Sequence, residues 1–157
     1  MCTFFIGGFM NKKYFDIAFD CAEKALECNE VPVGAVIVKN NEIISCGYNQ
    51  KESTNNVTSH AEIIAIFEAE KVLNNWRLED CDIYVTLDPC PMCASAIKQS
   101  RIKNIYSALS NSDDNNFNII SNIFNADNCN RSVNFETNLC CGKSKKILST
   151  FFKNKRL

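Results

Sequence analysis

Two short segments about thirty positions apart constrain this sequence more than any other feature. The first is His60-Ala61-Glu62, and the second is Pro89-Cys90-Pro91-Met92-Cys93. One imidazole and two thiolates are ligands that zinc prefers, and catalytic zinc sites keep three protein ligands with a fourth position open. The two segments therefore predict one catalytic zinc ion per chain, held by His60, Cys90 and Cys93.

Both segments are expected at the first turn of a helix. Unpaired N–H groups and the helix dipole favour thiolates there, and Cys90 and Cys93 face the same way on one helical turn. Glu62 follows His60 by two positions and points to another side, so we predict that it moves protons rather than binding metal. Since zinc lowers the pKa of water to about 7, the predicted chemistry is hydrolysis. The pairing of His-x-Glu with Pro-Cys-x-x-Cys resembles the motif of zinc-dependent base deaminases, and this resemblance implies release of ammonia from an amidine-like ring carbon.

A structural zinc site and a redox pair are the alternatives for Cys90 and Cys93. A structural site needs a fourth ligand, and the chain has a single histidine, although another cysteine could serve. A redox pair does not explain His60-Ala61-Glu62. The catalytic zinc site is the interpretation that uses both segments.

Hydrophobic periodicity predicts alternating helices and strands. The predicted helices cover residues 14–28, 60–73, 90–101, 119–124 and 144–155, and the predicted strands cover 33–38, 42–48, 82–87, 103–109 and 133–135. Asn40-Asn41 is typical of a hairpin turn, and Thr58-Ser59 are good helix caps. Phe67 and Phe152 are expected on the packed sides of their helices. The order indicates an α/β fold with three layers, a central mixed five-stranded sheet with helices on both faces, and a parallel crossover between the third and fourth strands.

Composition indicates one globular domain over residues 1–157, in which 1–10 are disordered or an upstream extension. The content of 46% hydrophobic and 22% charged residues is ordinary, and a chain of this length can bury a core. The formal net charge of -1 means that nucleic-acid binding must depend on local patches. No apolar run is long enough to cross a membrane.

The ten cysteines raise the alternative of disulfides. No secretory signal is visible, so we expect a cytoplasmic protein with reduced thiols. The remote cysteines Cys21, Cys28, Cys46 and Cys81 are then expected to be small buried hydrophobic residues.

Further segments resemble the bacterial tRNA adenosine deaminases of the cytidine deaminase-like superfamily. The resemblance covers residues 14–106. It includes Glu30-Val31-Pro32-Val33-Gly34-Ala35, Gly47-Tyr48-Asn49, Thr58-Ser59-His60-Ala61-Glu62, Trp76-Arg77-Leu78, Tyr84-Val85-Thr86-Leu87-Asp88-Pro89-Cys90-Pro91-Met92-Cys93 and Ser100-Arg101-Ile102. This resemblance implies a cytidine deaminase-like fold and a homodimer that converts the wobble adenosine of a tRNA anticodon to inosine, with the base flipped into the pocket.

The resemblance also implies roles outside the two zinc segments. Asn49 would contact the flipped nucleotide, although a turn residue is a fair alternative. Val33 and Ala61 would line the pocket. Lys153, Lys155 and Arg156 at the end of the chain could pair with anticodon-stem phosphates. The alternative for each of these basic residues is a solvated helix face.

The sequence departs from the family pattern after Tyr106. The family has a Gly-Ala-x-Asp-x-Lys-x-Gly-Ala stretch whose Asp lies close to RNA, and here Ser110 stands at the expected Asp position without the glycine pair. The substrate is therefore open between a tRNA wobble adenosine and a free nucleobase or nucleoside, such as guanine or cytosine. A third alternative, a non-catalytic RNA-binding subunit, is disfavoured because Glu62 and all three ligands are present.

Overall fold

The computed structural model describes residues 8–111, 114–126 and 132–155. Within these ranges five helices and five strands alternate in the predicted order. The helices are α1 (Gly8–Glu27), α2 (Ala61–Leu73), α3 (Pro91–Gln99), α4 (Asp114–Asn125) and α5 (Cys141–Lys155), and the strands are β1 (Gly34–Lys39), β2 (Glu42–Tyr48), β3 (Cys81–Val85), β4 (Asn104–Ser107) and β5 (Asn134–Glu136). No helix in this part of the chain is long and apolar enough to span a membrane.

The five strands form one mixed sheet in the order β2-β1-β3-β4-β5. β1 pairs antiparallel with β2 and β3, whereas β3–β4 and β4–β5 are parallel. The β1–β2 hairpin turns at Asn40 and Asn41, which both have left-handed φ angles of 50° and 63°, as a two-residue hairpin requires. The predicted hairpin, parallel crossover and mixed sheet are confirmed.

Helices cover both faces of the sheet, so the predicted three layers are confirmed. On one face α1 packs on β1 and β3, and Ile147 of α5 packs at the edge of the same cluster. On the other face α2, α3 and α4 contribute buried residues to the larger core. These core residues are Ala61, Ala65, Ile66, Ala69, Ala94, Ile97, Ile120 and Phe124.

Two glycines let helices lie directly on the strands. A Cβ atom added at Gly34 would overlap the carbonyl oxygen of Ala18 in α1, and one added at Gly47 would overlap that of Ala61 in α2. Strand geometry places these two glycines on opposite faces, so each helix meets its own side of the β1–β2 hairpin. The close approach at Gly47 holds the first turn of α2 against the sheet.

Three helices begin several residues earlier than predicted, and α3 ends at Gln99, two residues before its predicted end. α1 begins at Gly8 rather than at residue 14, whereas residues 1–7 lie outside the described ranges. α4 starts five residues before its predicted beginning, and Phe117 in the added part stacks on Phe135 of β5 with ring centroids 6.0 Å apart. α5 begins at Cys141, three residues earlier than predicted.

Two aromatic side chains that were predicted on the packed sides of their helices are about half exposed. Phe67 is 56% exposed and Phe152 is 50% exposed. α2 packs through Ala61, Ala65 and Ala69, which recur every four residues on one helix face, whereas Phe67 lies two positions from Ala65 and Ala69 and faces away from the sheet. In α5 the neighbouring Phe151 takes the buried position.

The expectation of buried remote cysteines is half correct. Cys21 and Cys81 are buried, whereas Cys28 and Cys46 are exposed. Cys28 follows the end of α1, and Cys46 lies on the edge strand β2, where side chains are less covered.

Candidate active site

The histidine of the first segment lies where β2 gives way to α2. His60 is the N-cap residue of α2, with an extended backbone (φ -81°, ψ 152°). The prediction that Thr58 and Ser59 cap the helix is wrong, because their hydroxyl groups bind within their own loop. Instead, Oδ1 of Asn49 accepts the N–H of Ala61 at 2.9 Å. Asn49 thus fixes the helix start that carries His60.

The two cysteines lie at the start of α3, directly opposite His60. Cys90 is the N-cap residue of α3 and Cys93 lies fully buried in its first turn. Nδ1 of His60 is 3.6 Å from Sγ of Cys90 and 3.5 Å from Sγ of Cys93. Tetrahedral zinc, with Zn–S of about 2.3 Å and Zn–N of about 2.0–2.1 Å, separates sulfur and nitrogen ligands by about 3.6 Å. The three side chains therefore fit one zinc ion.

The electrostatics of the cysteine pair also suit a cation. The Cys93 thiol donates to the Cys90 sulfur, and this bond is the main cause that lowers the pKa of Cys90 to about 5, against the opposing effect of burial. The same bond raises the pKa of Cys93, and burial raises it further. Without a metal ion the pair thus keeps one proton on Cys93, which a divalent cation can displace.

Glu62 lies beside this cluster in the first turn of α2. Its side chain is buried, with 4% exposed, and burial raises its pKa to about 7 against the lowering effect of its own backbone N–H. It lies outside the three-residue group that could hold a metal ion. Its carboxyl group is therefore placed to exchange protons with a molecule bound next to the metal site.

A cleft with a volume of ≈ 260 Å³ opens over these residues. It lies where the start of β1, the end of β2 and the end of β3 meet, since Gly34 pairs with Tyr48 and Ala35 with Val85. Its lining residues are Asn29, Glu30, Val31, Val33, Asn49, Lys51, Glu52, His60, Glu62, Leu87, Asp88, Cys90, Asn111 and Lys155. The volume lies just below the about 300–1,000 Å³ typical of clefts for drug-sized ligands, so a single nucleobase is a suitable occupant.

Most of the sequence-predicted residues meet at this cleft. Val33, Asn49 and Lys155 line it together with the zinc-site residues, whereas Cys93 lies behind its surface and Ala61 contributes its N–H to Asn49. Lys153 is exposed on α5 outside the lining, and Arg156 lies beyond the part of the chain that the structure describes.

Residues 10–109, more than half of the chain, match the family model of the cytidine and deoxycytidylate deaminase zinc-binding region. The chain belongs to the cytidine and deoxycytidylate deaminase family. Its cofactor is accordingly one zinc ion per chain, and the expected cytidine deaminase-like fold is confirmed. The family name does not distinguish a tRNA substrate from a free base. Relatives with narrower descriptions bear on that choice.

This deaminase is similar to proteins that are described as acting on tRNA. It is 44% identical to the tRNA-specific adenosine deaminase of Aquifex aeolicus over 94% of this chain and 97% of that protein. A solved structure from work on A-to-I editing by tRNA:A34 deaminases at the wobble position superposes with a TM-score of 0.78 at 33% identity, covering 87% of this chain and 99% of the other. The guanine deaminase of Bacillus subtilis gives a TM-score of 0.62 at 38% identity, covering 65% of this chain and 66% of that protein.

Six polar residues that line the cleft of this deaminase had no role predicted from the sequence: Asn29, Glu30, Lys51, Glu52, Asp88 and Asn111. Glu30, Asp88 and Asn111 lie on three separate segments. Glu30 and Asp88 belong to the family motifs quoted above, but no role was assigned to them. The one sequence feature that could have indicated a role was a carboxylate next to an otherwise apolar strand. In the departing segment, Asn111 rather than Ser110 lines the cleft.

Glu30 ties a loop of the deaminase to the beginning of β1. Its carboxylate is 2% exposed and accepts the N–H of Ser53 at 2.7 Å and that of Glu52 at 3.2 Å. Burial alone would raise its pKa, but these N–H groups, the Ser53 hydroxyl and the charge of Lys155 outweigh burial, so the pKa lies below its ordinary value of 4.5. The ionised form of Glu30 therefore stabilises the fold.

Replacement of Glu30 by Gln is expected to destabilise the protein in a pH-dependent way. Because the folded pKa of Glu30 is lowered, its contribution is complete above pH 4.5 and is lost as the pH falls through the folded pKa. We expect a loss of about 1.5–3 kcal/mol at pH 7, the value of hydrogen bonds to a charged group. Urea unfolding of both proteins at fixed zinc from pH 7 to pH 3 measures it. A pH-independent difference would contradict the assignment.

Proposed function

We propose that this deaminase converts adenosine to inosine at the wobble position of a tRNA anticodon by zinc-dependent hydrolysis. The observation that carries the proposal is Glu62 beside the His60, Cys90 and Cys93 cluster at a cleft of nucleobase size. The described activity of the relatives supports the choice of tRNA.

In this proposal His60, Cys90 and Cys93 hold the zinc ion. When bound, zinc makes water available as a nucleophile at neutral pH. Glu62 takes a proton from the attacking water as the new C–O bond forms at the ring carbon. It then delivers protons to the ring nitrogen and to the exocyclic amine, which leaves as ammonia. Its buried position keeps these protons from bulk solvent.

The flipped base would be held by the cleft walls. Asn49 lies between Val33, next to the start of β1, and Ala61 at the start of α2. Its N–H donates to the carbonyl of Val33 at 3.2 Å. Asn49 uses Oδ1 to accept from Ala61, and its amide still has N–H donors for a nucleotide. We therefore assign Asn49 a double role, in the helix start and in the nucleotide contact.

RNA outside the cleft would be bound by the basic end of α5. Lys153 and Lys155 are exposed, Lys155 lines the cleft, and Arg156 extends the same basic run. Replacement of Lys153 and Lys155 by Gln is expected to weaken stem-loop binding and to reduce the slope of log K against log salt by about 1 per lost phosphate contact. Replacement of the exposed Lys103, which lies at the opposite end of the sheet, should leave the slope unchanged. Equal slopes in all three proteins would contradict this RNA contact.

We also propose a homodimer that works in the cytoplasm. Phe67, Val72 and Trp76 on α2 and the turn after it are 56%, 63% and 48% exposed, which supports a surface covered by a second copy. Cys21, Cys28, Cys46 and Cys81 form no disulfide, which suits a reducing compartment. Sedimentation equilibrium of the wild type and of Phe67→Glu measures the dimer, and an equally monomeric wild type would contradict it.

A free nucleobase is the alternative substrate. It is favoured by the similarity to a guanine deaminase and by a cleft volume of ≈ 260 Å³ that can accommodate a free base. The zinc-loaded protein should be incubated with an anticodon stem-loop carrying wobble adenosine, and separately with free adenine, guanine and cytosine. Inosine in the stem-loop supports the tRNA proposal, whereas ammonia from free bases alone overturns it. Activity on the stem-loop should fall steeply with added salt.

A further inference from the structure

The strongest unexplained feature of the cleft is a buried carboxylate. It lies between residues 88–93, here called the cysteine turn because they carry Cys90 and Cys93, and the C-terminal third of the chain. Asp88 is 5% exposed and lies two residues before Cys90. Asp88 belongs neither to the three residues that could hold metal nor to the proposed proton transfer. A buried carboxylate is costly unless it is hydrogen-bonded, so its partners indicate its role.

Asp88 accepts bonds from two segments that are distant in sequence. Its Oδ1 accepts the hydroxyl of Thr137 at 2.6 Å, and its Oδ2 accepts the N–H of Asn111 at 3.3 Å. Its own N–H donates to the carbonyl of Leu109 at 2.9 Å. Three segments thus meet at one side chain: the cysteine turn, the end of β4 and the stretch that follows β5.

The two distant segments are also bonded to each other. The N–H of Ser110 donates to Oδ1 of Asn138 at 2.9 Å, and the N–H groups of Leu139 and Cys140 donate to carbonyls of the β4 end at 3.1 and 3.0 Å. Together these bonds join residues 107–111 and 137–140 into one wall of the cleft. Asn111 of this wall lines the cleft beside Asp88. This wall contains the segment that departs from the family pattern.

We propose that Asp88 is a positioning residue that holds residues 109–111 and Thr137 on the cysteine turn, and thereby sets the nucleotide-binding wall of the cleft. The inference rests on the proposed function, because it assigns that wall to substrate binding. Since Asp88 acts through the wall and not on the reacting atoms, its loss is expected to affect KM more than kcat.

Four variants of the zinc-loaded enzyme test this role. Asp88→Ala is expected to raise KM for the stem-loop at least about tenfold and to change kcat less than about threefold, with zinc content unchanged. Asp88→Asn is expected to stay within about threefold of the wild type, because an amide can accept from the Asn111 N–H and donate to the Thr137 hydroxyl. Thr137→Val is expected to lie between them. Asp82→Ala is the matched control, because Asp82 bonds Asn104 at 2.6 Å at the far end of β3.

Amide hydrogen exchange gives a readout that does not depend on activity. Asp88→Ala and Thr137→Val are expected to speed exchange in peptides covering residues 107–111 and 137–140, and Asp82→Ala is not. Unchanged exchange there in both variants overturns the proposal, as does an Asp88→Asn enzyme as impaired as Asp88→Ala. If the wild type leaves the stem-loop unmodified, the tRNA function fails and exchange alone decides the role of Asp88. If Asp88→Ala does not fold, Thr137→Val decides it.

Discussion

Replacement of Glu62 by Gln is expected to lower the rate of stem-loop deamination by about 10²–10⁴-fold, the usual contribution of a general acid–base group. Gln has nearly the same shape and can be hydrogen-bonded in the same buried site, but it can neither take up nor release a proton at neutral pH. Because Glu62 is not among the residues that could hold metal, zinc should stay bound at one ion per chain. Single-turnover rates and zinc content on the same preparation measure both quantities.

The control is Glu68→Gln, on the same helix. Glu68 pairs with Lys71 on the surface at 2.8 Å, and both side chains are about half exposed, so its replacement should leave the rate unchanged. Two results would contradict the role of Glu62: a Gln variant that keeps near wild-type turnover, or one that loses zinc in proportion to activity. The second result would show that Glu62 belongs to the metal site.

The grouping of residues at the candidate site could be predicted from the sequence because each half of it is local. His60 and Glu62 are two positions apart and Cys90 and Cys93 are three apart, so one helical turn orients each pair. The two pairs are expected to lie close together because each pair follows a strand of the same sheet. The structure joins them with His60 within 3.6 Å of both sulfurs.

The walls of the cleft could not be predicted in the same way. Glu30 reaches Ser53 across 23 positions and Asp88 reaches Thr137 across 49. Periodicity reports which apolar positions are buried, but it does not say which remote polar group accepts a given N–H. The burial of Phe67 was predicted wrongly because position 67 lies two residues from both Ala65 and Ala69, and residues two apart do not share a helix face. The small residues on the other face pack on the sheet, where Gly47 allows α2 to approach closely.

Replacement of Lys98 by Met is expected to destabilise the fold strongly. The structural role of this lysine is another feature that the sequence does not indicate. Its side chain is 4% exposed, and Nζ donates to the carbonyls of Ile123 at 2.9 Å, Phe124 at 3.2 Å and Ala126. These carbonyls lie at the C-terminal end of α4, where a helix leaves acceptors unpaired and carries partial negative charge. Lys98 thereby fastens α4 to α3, the helix that carries the cysteines.

A methionine at position 98 keeps the length of the side chain but removes every donor. Each buried acceptor left without a partner costs about 1–3 kcal/mol, so the free energy of unfolding should fall by about 3 kcal/mol or more. Urea unfolding followed by the fluorescence of the single tryptophan, at fixed zinc, measures the loss. Lys103→Met is the matched control, since Lys103 is exposed and surface changes usually stay within about 0.5 kcal/mol. Equal stability of the two variants would mean that the ammonium group does not hold α4, and that burial of Ile120 and Phe124 alone keeps it on the core.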